Sequence, residues 1–296
     1  MAQKPVVCGF FCNFAQLNCA FLALQHYQFQ EIKMKILFAN QDITPYVEET
    51  ELSKMGIVAS QKIQESGCEI RTFMPRWGNI NERRGQLHEV IRLSGLNISI
   101  KDTDHPLIIK VASIPQAKMQ VYFIDNEEFF SRKSQATDDD NKPFADNDER
   151  AVFYARGVIE TIKKLRWTPD VIVCQGWMAA FLPILIKNAY KDEPTVANAK
   201  IVTALYEDAP QTIFANVTKD CLFYCDDNNG DGSEFDDNIN TEDIIKIAVD
   251  NSDGIIVASS KACAEAVNYA KQSGKKVLDY AGDDFVAAYK DFFETL

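Results

Sequence analysis

Two hydrophobic patterns alternate along most of this chain. Residues 35–40 form a short apolar run, whereas residues 52–65 repeat apolar side chains every three or four positions. The first pattern predicts a buried strand and the second an amphipathic helix. From residue 149 onward the two patterns follow one another in turn. We therefore expect an α/β fold, a single domain in which a parallel sheet carries helices on both faces.

The same patterns place the remaining elements. Further strands are predicted at residues 68–75, 96–101, 107–114, 120–125, 169–176, 200–205, 254–258 and 276–280. Further helices are predicted at residues 149–166, 177–191, from 241 onward, 260–272 and 283–296. Thr241, which precedes two acidic residues, and Ser260 are the predicted helix-starting residues.

Residues 1–33 differ from the rest of the chain. No charged residue lies between Pro5 and Gln30, yet polar residues interrupt the apolar run from Val6 to Leu24. This interruption disfavours a membrane-spanning helix. A signal peptide would also have a ragged apolar region without a clear cleavage site. We expect residues 1–33 to be an extension without function, followed by one domain over residues 34–296.

Charge and cysteine usage narrow the function classes. The net charge of −12 argues against nucleic acid and against an anionic membrane surface as partners. The eight cysteines are scattered and include no C-x-x-C pair, so a zinc site is not expected. Free thiols fit a reduced, cytoplasmic compartment. We expect no cofactor.

The loop after the first strand is acidic. In an open α/β sheet this loop borders the ligand crevice, and the following helix start can bind phosphate. Here the segment Glu48, Glu49, Thr50 and Glu51 contains neither glycine nor a cation. Its carboxylates would repel a diphosphate. Alternatively, Glu48, Glu49 and Glu51 are first-turn residues of the helix, where the helix dipole favours negative charge.

A second acidic segment resembles half of a calcium loop. Asp227, Asn229 and Asp231 have the spacing of calcium ligands and precede a glycine. The twelfth loop position is Asn238, where a bidentate glutamate would be needed. A weak calcium site and an acidic surface loop are the two interpretations, and the missing carboxylate favours the loop.

Five segments in order carry a resemblance to a known family. They are residues 35–39 with Pro45, residues 74–80 (M-P-R-W-G-N-I), residues 123–130 (F-I-D-N-E-E-F-F), residues 148–160, and residues 169–177 (P-D-V-I-V-C-Q-G-W) with Pro183. From Met34 to about residue 265 the chain resembles the N-terminal half of bacterial glycogen and starch synthases. The resemblance implies a Rossmann-like sheet, as in the N-terminal domain of a GT-B fold. It also implies transfer of glucose from ADP-glucose or UDP-glucose to an α-1,4-glucan.

The chain departs from the family where the resemblance places the substrates. Glu48–Glu51 stands for the family's K-T-G-G, and Gly176-Trp177-Met178 stands for its D-W-H. Residues 204–208, which include Tyr206, Glu207 and Asp208, replace its T-x-H-N segment. The chain ends where the family's second domain would begin. We expect a transferase domain that is inactive alone and needs a partner supplying that second domain, or a homodimer.

The alternative is an inactive regulatory protein of the same fold that binds a glucan, a nucleotide or a protein. Four aromatic residues bear on this choice because they lie at predicted strand ends or in the following loops, where ligands bind. They are Tyr46, Trp77, Trp177 and Tyr206. An aromatic platform for a glucan and ordinary packing between helix and sheet are both compatible with these positions.

Overall fold

The computed structural model describes residues 33–207, 213–214 and 239–296, and the fold is that of the unit Met34–Leu296. Its strands are β1 (Lys35–Asn40), β2 (Glu69–Pro75), β3 (His88–Glu89), β4 (Leu96–Ile100), β5 (Thr103–Ile114), β6 (Met119–Asp125), β7 (Val171–Gln175), β8 (Lys200–Leu205), β9 (Ile213–Phe214), β10 (Ile239–Asn240), β11 (Gly254–Val257) and β12 (Lys276–Leu278). Its α-helices are α1 (Glu51–Glu65), α2 (Glu82–Gly85), α3 (Glu127–Phe130), α4 (Asn147–Leu165), α5 (Phe181–Lys187), α6 (Thr241–Asp250), α7 (Ala264–Gln272) and α8 (Phe285–Thr295). Short 3₁₀ turns lie at Pro115–Ala117, Trp177–Ala179 and Gly282–Asp284.

One large sheet organises the domain. Its strands follow the order β12-β11-β8-β7-β1-β2-β6-β5-β3, and β4 pairs with β5. Every pairing from β12 to β6 is parallel, whereas β5 pairs antiparallel with β6, β3 and β4. The predicted α/β fold is therefore confirmed, and the sheet also has an antiparallel edge.

Alternate side chains of β1 reach two separate layers of the core. Leu37 and Ala39 pack in the cluster that contains α4 and α5. Ile36 and Phe38 pack in the cluster that contains residues of α1 and α8. Because successive strand residues point to opposite faces, the two clusters cover the two faces of the sheet. Helices on both faces agree with the prediction.

Two helices differ from the prediction, whereas the predicted start of α6 at Thr241 is confirmed. Helix α7 begins at Ala264, not at Ser260, because Ser259 and the residues after it form a turn in which the Lys261 amide donates to Ser259 Oγ. The cap of α6 is Asn240, whose side chain accepts from the amides of Glu242 and Asp243, so Thr241 is the first helical residue. The helix predicted over residues 177–191 is the turn at Trp177 followed by the short α5.

Candidate active site

A cleft of about 400 Å³ opens at the carboxyl ends of β1, β7 and β8. This edge is where ligands bind in open α/β sheets. Helix α1 contributes its start to the cleft, and α6 and α7 line the opposite side. The residues that follow the three strands and line the cleft are Gln41, Asp42, Gly176, Trp177, Tyr206 and Glu207.

Gln41, Asp42 and Gln135 form the floor of the cleft, and the carboxyl group of Asp42 is buried there. Its Oδ1 accepts hydrogen bonds from Trp77 Nε1 at 2.9 Å and from Gln135 Nε2 at 2.8 Å. Among the described residues, its Oδ2 accepts only from Gln41 Nε2, at 3.1 Å. Burial raises the pKa of Asp42, and the bonds from the three donors oppose that shift. Asp42 can therefore accept one further hydrogen bond from a ligand through Oδ2.

Gln41 fits tightly against the turn after β7. The backbone N–H of Trp177 donates to Gln41 Oε1 at 3.1 Å. Gly176 has φ +83°, and a Cβ placed there would lie 2.5 Å from the same oxygen. Deeper in the site, Tyr206 donates its hydroxyl proton to Gln175 Oε1 at 2.7 Å. Burial raises the pKa of Tyr206 well above its ordinary value, so this hydroxyl stays protonated.

Arg150 on α4 supports the floor from below. Its side chain is fully buried, and the guanidinium lies 5.4 Å from the Trp77 ring centroid. It donates to the carbonyl oxygens of Phe129 at 2.8 Å and Gln135 at 2.6 Å. Arg150 thereby fixes the backbone of Gln135, whose amide holds Asp42. Burial lowers the pKa of Arg150 to about 10, so the group still carries its charge at neutral pH.

The start of α1 is capped by its own residues. Thr50 is the N-cap: its side chain accepts from the Ser53 amide, and its amide donates to Ser53 Oγ. Ser259 donates to Glu51 Oε2 at 2.8 Å, which ties the helix start to the turn after β11. Of the three glutamates interpreted as first-turn residues, only Glu51 lies in the helix. Glu48 and Glu49 precede the cap and are exposed, because capping begins at Thr50.

The four predicted aromatic residues separate into two groups. Trp177 and Tyr206 line the cleft, together with Gly176, Glu207 and Thr50. Trp77 is 1% exposed and packs edge-on against Phe130. Tyr46 is half-buried, packs edge-on against Phe123 with centroids 4.9 Å apart, and has its pKa raised to about 12 by burial. Neither Trp77 nor Tyr46 lines the cleft.

Some predicted residues lie outside the described part of the chain. These are Asp208 and the calcium candidates Asp227, Asn229 and Asp231. Within residues 33–207 and 239–296, no group of three or more His, Cys, Asp or Glu side chains could hold a metal ion. No helix in these ranges is long and apolar enough to cross a membrane.

The charge of the cleft has one sign. Among the described residues that line it, Asp42, Glu207 and Glu242 are acidic, and none is Lys, Arg or His. Most of the remaining lining residues are apolar or carry neutral amides and hydroxyls. Such a surface offers hydrogen bonds to a neutral ligand and no counter-charge for an anionic one.

Three floor residues were missed by the sequence interpretation. Gln41 and Asp42 carried a usable signal, because polar residues directly after a buried central strand point toward the ligand crevice. Gln135 gave no signal, since it lies in a long polar loop that the structure folds back onto the floor.

Comparison with known proteins gives one consistent result. The family profile described as "Starch synthase catalytic domain" matches residues 35–279. The chain is 35% identical over 173 residues to a glycogen synthase of Chlorobium limicola, which covers 58% of this chain and 35% of the relative. It is 34% identical over 184 residues to a glycogen synthase of Chlorobaculum tepidum, covering 61% of this chain and 37% of the relative.

A solved structure has the same fold. It is the catalytic domain of starch synthase IV from Arabidopsis thaliana bound to ADP and acarbose, with a TM-score of 0.63 and 16% sequence identity. The match covers 84% of this chain and 51% of the plant chain. The chain thus spans about a third of the length of the curated relatives and half of the solved one.

Proposed function

Since the chain belongs to the starch synthase catalytic domain family and is a glycogen/starch synthase-like glycosyltransferase domain, we propose that its cleft binds a neutral α-glucan and does not by itself hold a nucleotide diphosphate sugar. The observation that carries this proposal is the charge of the cleft. Its described lining has three carboxylates and no cation.

Electrostatics separates the two ligand classes. A carboxylate and a phosphate charge 5 Å apart repel each other by about 3 kcal/mol at an effective dielectric constant of about 20. A sugar hydroxyl, in contrast, donates to a carboxylate in a charge-assisted hydrogen bond. Asp42 Oδ2 has room for such a bond because Gln41 is its one hydrogen-bond donor within the described residues. The cleft therefore suits a ligand that brings hydroxyl groups.

The start of α1 supports the same choice. A helix start binds phosphate through free N–H groups. Here the capping pair of Thr50 and Ser53 uses the Ser53 amide, and the Glu51 carboxylate lies in the first turn. An incoming phosphate would find the Ser53 amide in use and would meet the negative charge of Glu51.

Binding calorimetry on the full chain tests the proposal. We expect heat of binding with maltoheptaose and none with ADP-glucose or ADP at the same concentration. Cellohexaose, a β-linked glucan, is the matched ligand control. Asp42→Asn should weaken maltoheptaose binding because the neutral amide forms weaker hydrogen bonds. Tight ADP-glucose binding without maltoheptaose binding would refute the proposal.

Family membership favours a second candidate, the complete transfer reaction. For this, the cations that hold the donor would come from a partner domain or from a second copy of the chain. Incubation with labelled ADP-glucose or UDP-glucose and glycogen primer tests it. Incorporation of label above a boiled control by the purified chain would show that the acidic cleft accepts the donor, and our first proposal would then be wrong.

Two further proposals concern the extent of the functional domain and its location in the cell. We propose that residues 34–296 are the functional domain, so that a chain starting at Met34 binds the glucan as the full chain does. We also propose a cytoplasmic location, supported by the free thiols of Cys68, Cys174 and Cys263 in the described chain. Cell fractionation with a periplasmic marker tests the location, and recovery with that marker would overturn it.

A further inference from the structure

We propose that Gln41 is a specificity-determining residue of the cleft and that its amide recognises two neighbouring hydroxyl groups of the glucan. The Gln41 side chain occupies the space that a side chain at position 176 would otherwise fill. This inference rests on the proposed function, because it names the contact that the glucan makes. The spatial relation between Gln41 and Gly176 is its structural basis.

Glycine at position 176 makes room for Gln41. A Cβ at this position would lie 2.5 Å from Gln41 Oε1 and 2.7 Å from Gln41 Cβ, which is closer than real Cβ contacts. The φ of +83° at Gly176 also strains any residue that has a side chain. Position 176 stands where the resemblance places the family's aspartate. A neutral amide from β1 thus takes the place of a side chain from β7.

The side-chain amide of Gln41 is fixed by two hydrogen bonds and can form more. Oε1 accepts from the Trp177 N–H at 3.1 Å, and Nε2 donates to Asp42 Oδ2 at 3.1 Å. A primary amide has two N–H donors and two carbonyl lone pairs. Among the described residues, one donor and one lone pair of Gln41 therefore have no partner. Because Gln41 lines the cleft, these groups can bond to a ligand.

The fixed geometry favours a sugar. Both partners of the amide are anchored, because Trp177 begins a 3₁₀ turn and Asp42 is held by Trp77 and Gln135. One donor and one acceptor in a rigid plane match two adjacent hydroxyls, each of which can donate and accept. The same amide offers a phosphate one N–H but no positive charge.

The first test measures binding by the full chain. Gln41→Met keeps most of the volume next to Gly176 and removes both hydrogen-bonding groups. We expect maltoheptaose affinity to fall roughly tenfold or more, the effect of losing two neutral hydrogen bonds. Gln120→Met, which changes an exposed glutamine on β6, is the matched control and should leave the affinity unchanged. Unchanged affinity in Gln41→Met would overturn the inference.

The second test measures the coupling between positions 41 and 176 through thermal unfolding. Gly176→Ala should lower Tm more than Gly95→Ala, because Gly95 has nearly the same φ, +82°, but nothing within 4 Å of its added Cβ. Adding Gln41→Ala to Gly176→Ala should recover much of that excess. If Gly176→Ala and Gly95→Ala have equal effects, Gln41 does not fill the space and the inference fails.

The two tests separate this inference from the proposed function. If the wild-type chain binds no glucan, the proposed function fails, and the recognition role of Gln41 fails with it. If the wild-type chain binds maltoheptaose and Gln41→Met binds it equally well, the proposed function stands and only the inference about Gln41 is overturned.

Discussion

The two sides of the cleft differ in capping, charge and hydrogen bonding. At the start of α1, Thr50 and Ser53 bond to each other and Glu51 accepts from Ser259, so the Ser53 amide is in use and a carboxylate lies in the first turn. Across the cleft, Gln41 and Asp42 are anchored but keep hydrogen-bonding capacity. We call the capped, acidic helix start the closed side of the cleft, and the side of Gln41 and Asp42 the open side.

Under our proposal, this difference means that the two sides of one cleft favour different ligands. At the helix start, the Thr50 side chain caps the Ser53 amide and Glu51 adds negative charge. The floor depends instead on contacts between the residues after β1, the turn after β7 and a long loop. Function therefore has to be argued separately for each side of the site.

The largest effect on stability is expected at Arg150, which holds the backbone of the floor residue Gln135. Arg150→Met would leave the buried carbonyl oxygens of Phe129 and Gln135 without their donor. Because each unsatisfied buried group costs about 1–3 kcal/mol, we expect the free energy of unfolding to fall by about 3 kcal/mol or more. Urea denaturation measures it. Arg92→Met, at an exposed arginine, is the control and should change stability little. Equal stability of the two variants would show that Arg150 does not support the floor.

The second effect is a pH dependence of stability that we expect from Asp148, a buried acid that does not line the cleft. Burial raises the pKa of Asp148 on α4 from 3.8 to about 6. Between these values the folded chain holds a proton that the unfolded chain has lost, so stability falls as pH rises from about 4 to 6. The full change is about 3 kcal/mol at about 1.4 kcal/mol per pKa unit.

Asp148→Asn should remove this part of the pH dependence. The difference in unfolding free energy between the wild type and Asp148→Asn, measured by urea denaturation at pH 4 and pH 7, isolates it from other carboxylates. Since Asp148 does not line the cleft, the variant should bind maltoheptaose normally at pH 7. A parallel pH profile in both proteins would contradict the assignment.

The sequence predicted the strands of the sheet better than the site. The bounds of β1 and β8 are those that the apolar runs predicted, because central strands of a parallel sheet are apolar on both faces. Trp77 could not be placed in the same way. Its position after β2 fits both a ligand platform and a core residue, and only the folded chain shows that its indole N–H bonds to Asp42 inside the core.

The floor itself depends on contacts between residues far apart in sequence. Gln135 meets Asp42 across 93 residues, and the Trp177 amide meets Gln41 across 136. No local pattern encodes such contacts. The acidic segment before α1 was visible in the sequence, whereas the bond between Glu51 and Ser259 was not.

A smaller effect is expected at the closed side. Thr50→Ala removes the cap of α1 and should lower the free energy of unfolding by about 1 kcal/mol. Thr50→Ser keeps the hydroxyl and should retain most of the stability in the same urea experiment. If both variants lose the same stability, the side chain of Thr50 does not cap the helix.

The smallest effect is expected on ADP binding when only the charge at position 48 is changed. Glu48 is exposed, so Glu48→Lys should bring only weak ADP binding at low salt, and this gain should vanish at about 1 M salt because of screening. The control is Lys54→Glu, which replaces an exposed cation on α1 with an anion and should not improve ADP binding. A large gain that resists salt would mean that the diphosphate side needs only one cation to function.

Ligand mapping by ¹⁵N NMR tests the two-sided account most directly. Titration with maltoheptaose should shift the signals of the Gln41 side-chain amide and the Trp177 N–H, while the backbone amides of Thr50 and Ser53 stay in place. ADP-glucose at the same concentration should shift neither set. Shifts at Thr50 and Ser53 on addition of ADP-glucose, with no response of Gln41 to maltoheptaose, would show that the phosphate side is the working side and would contradict the account.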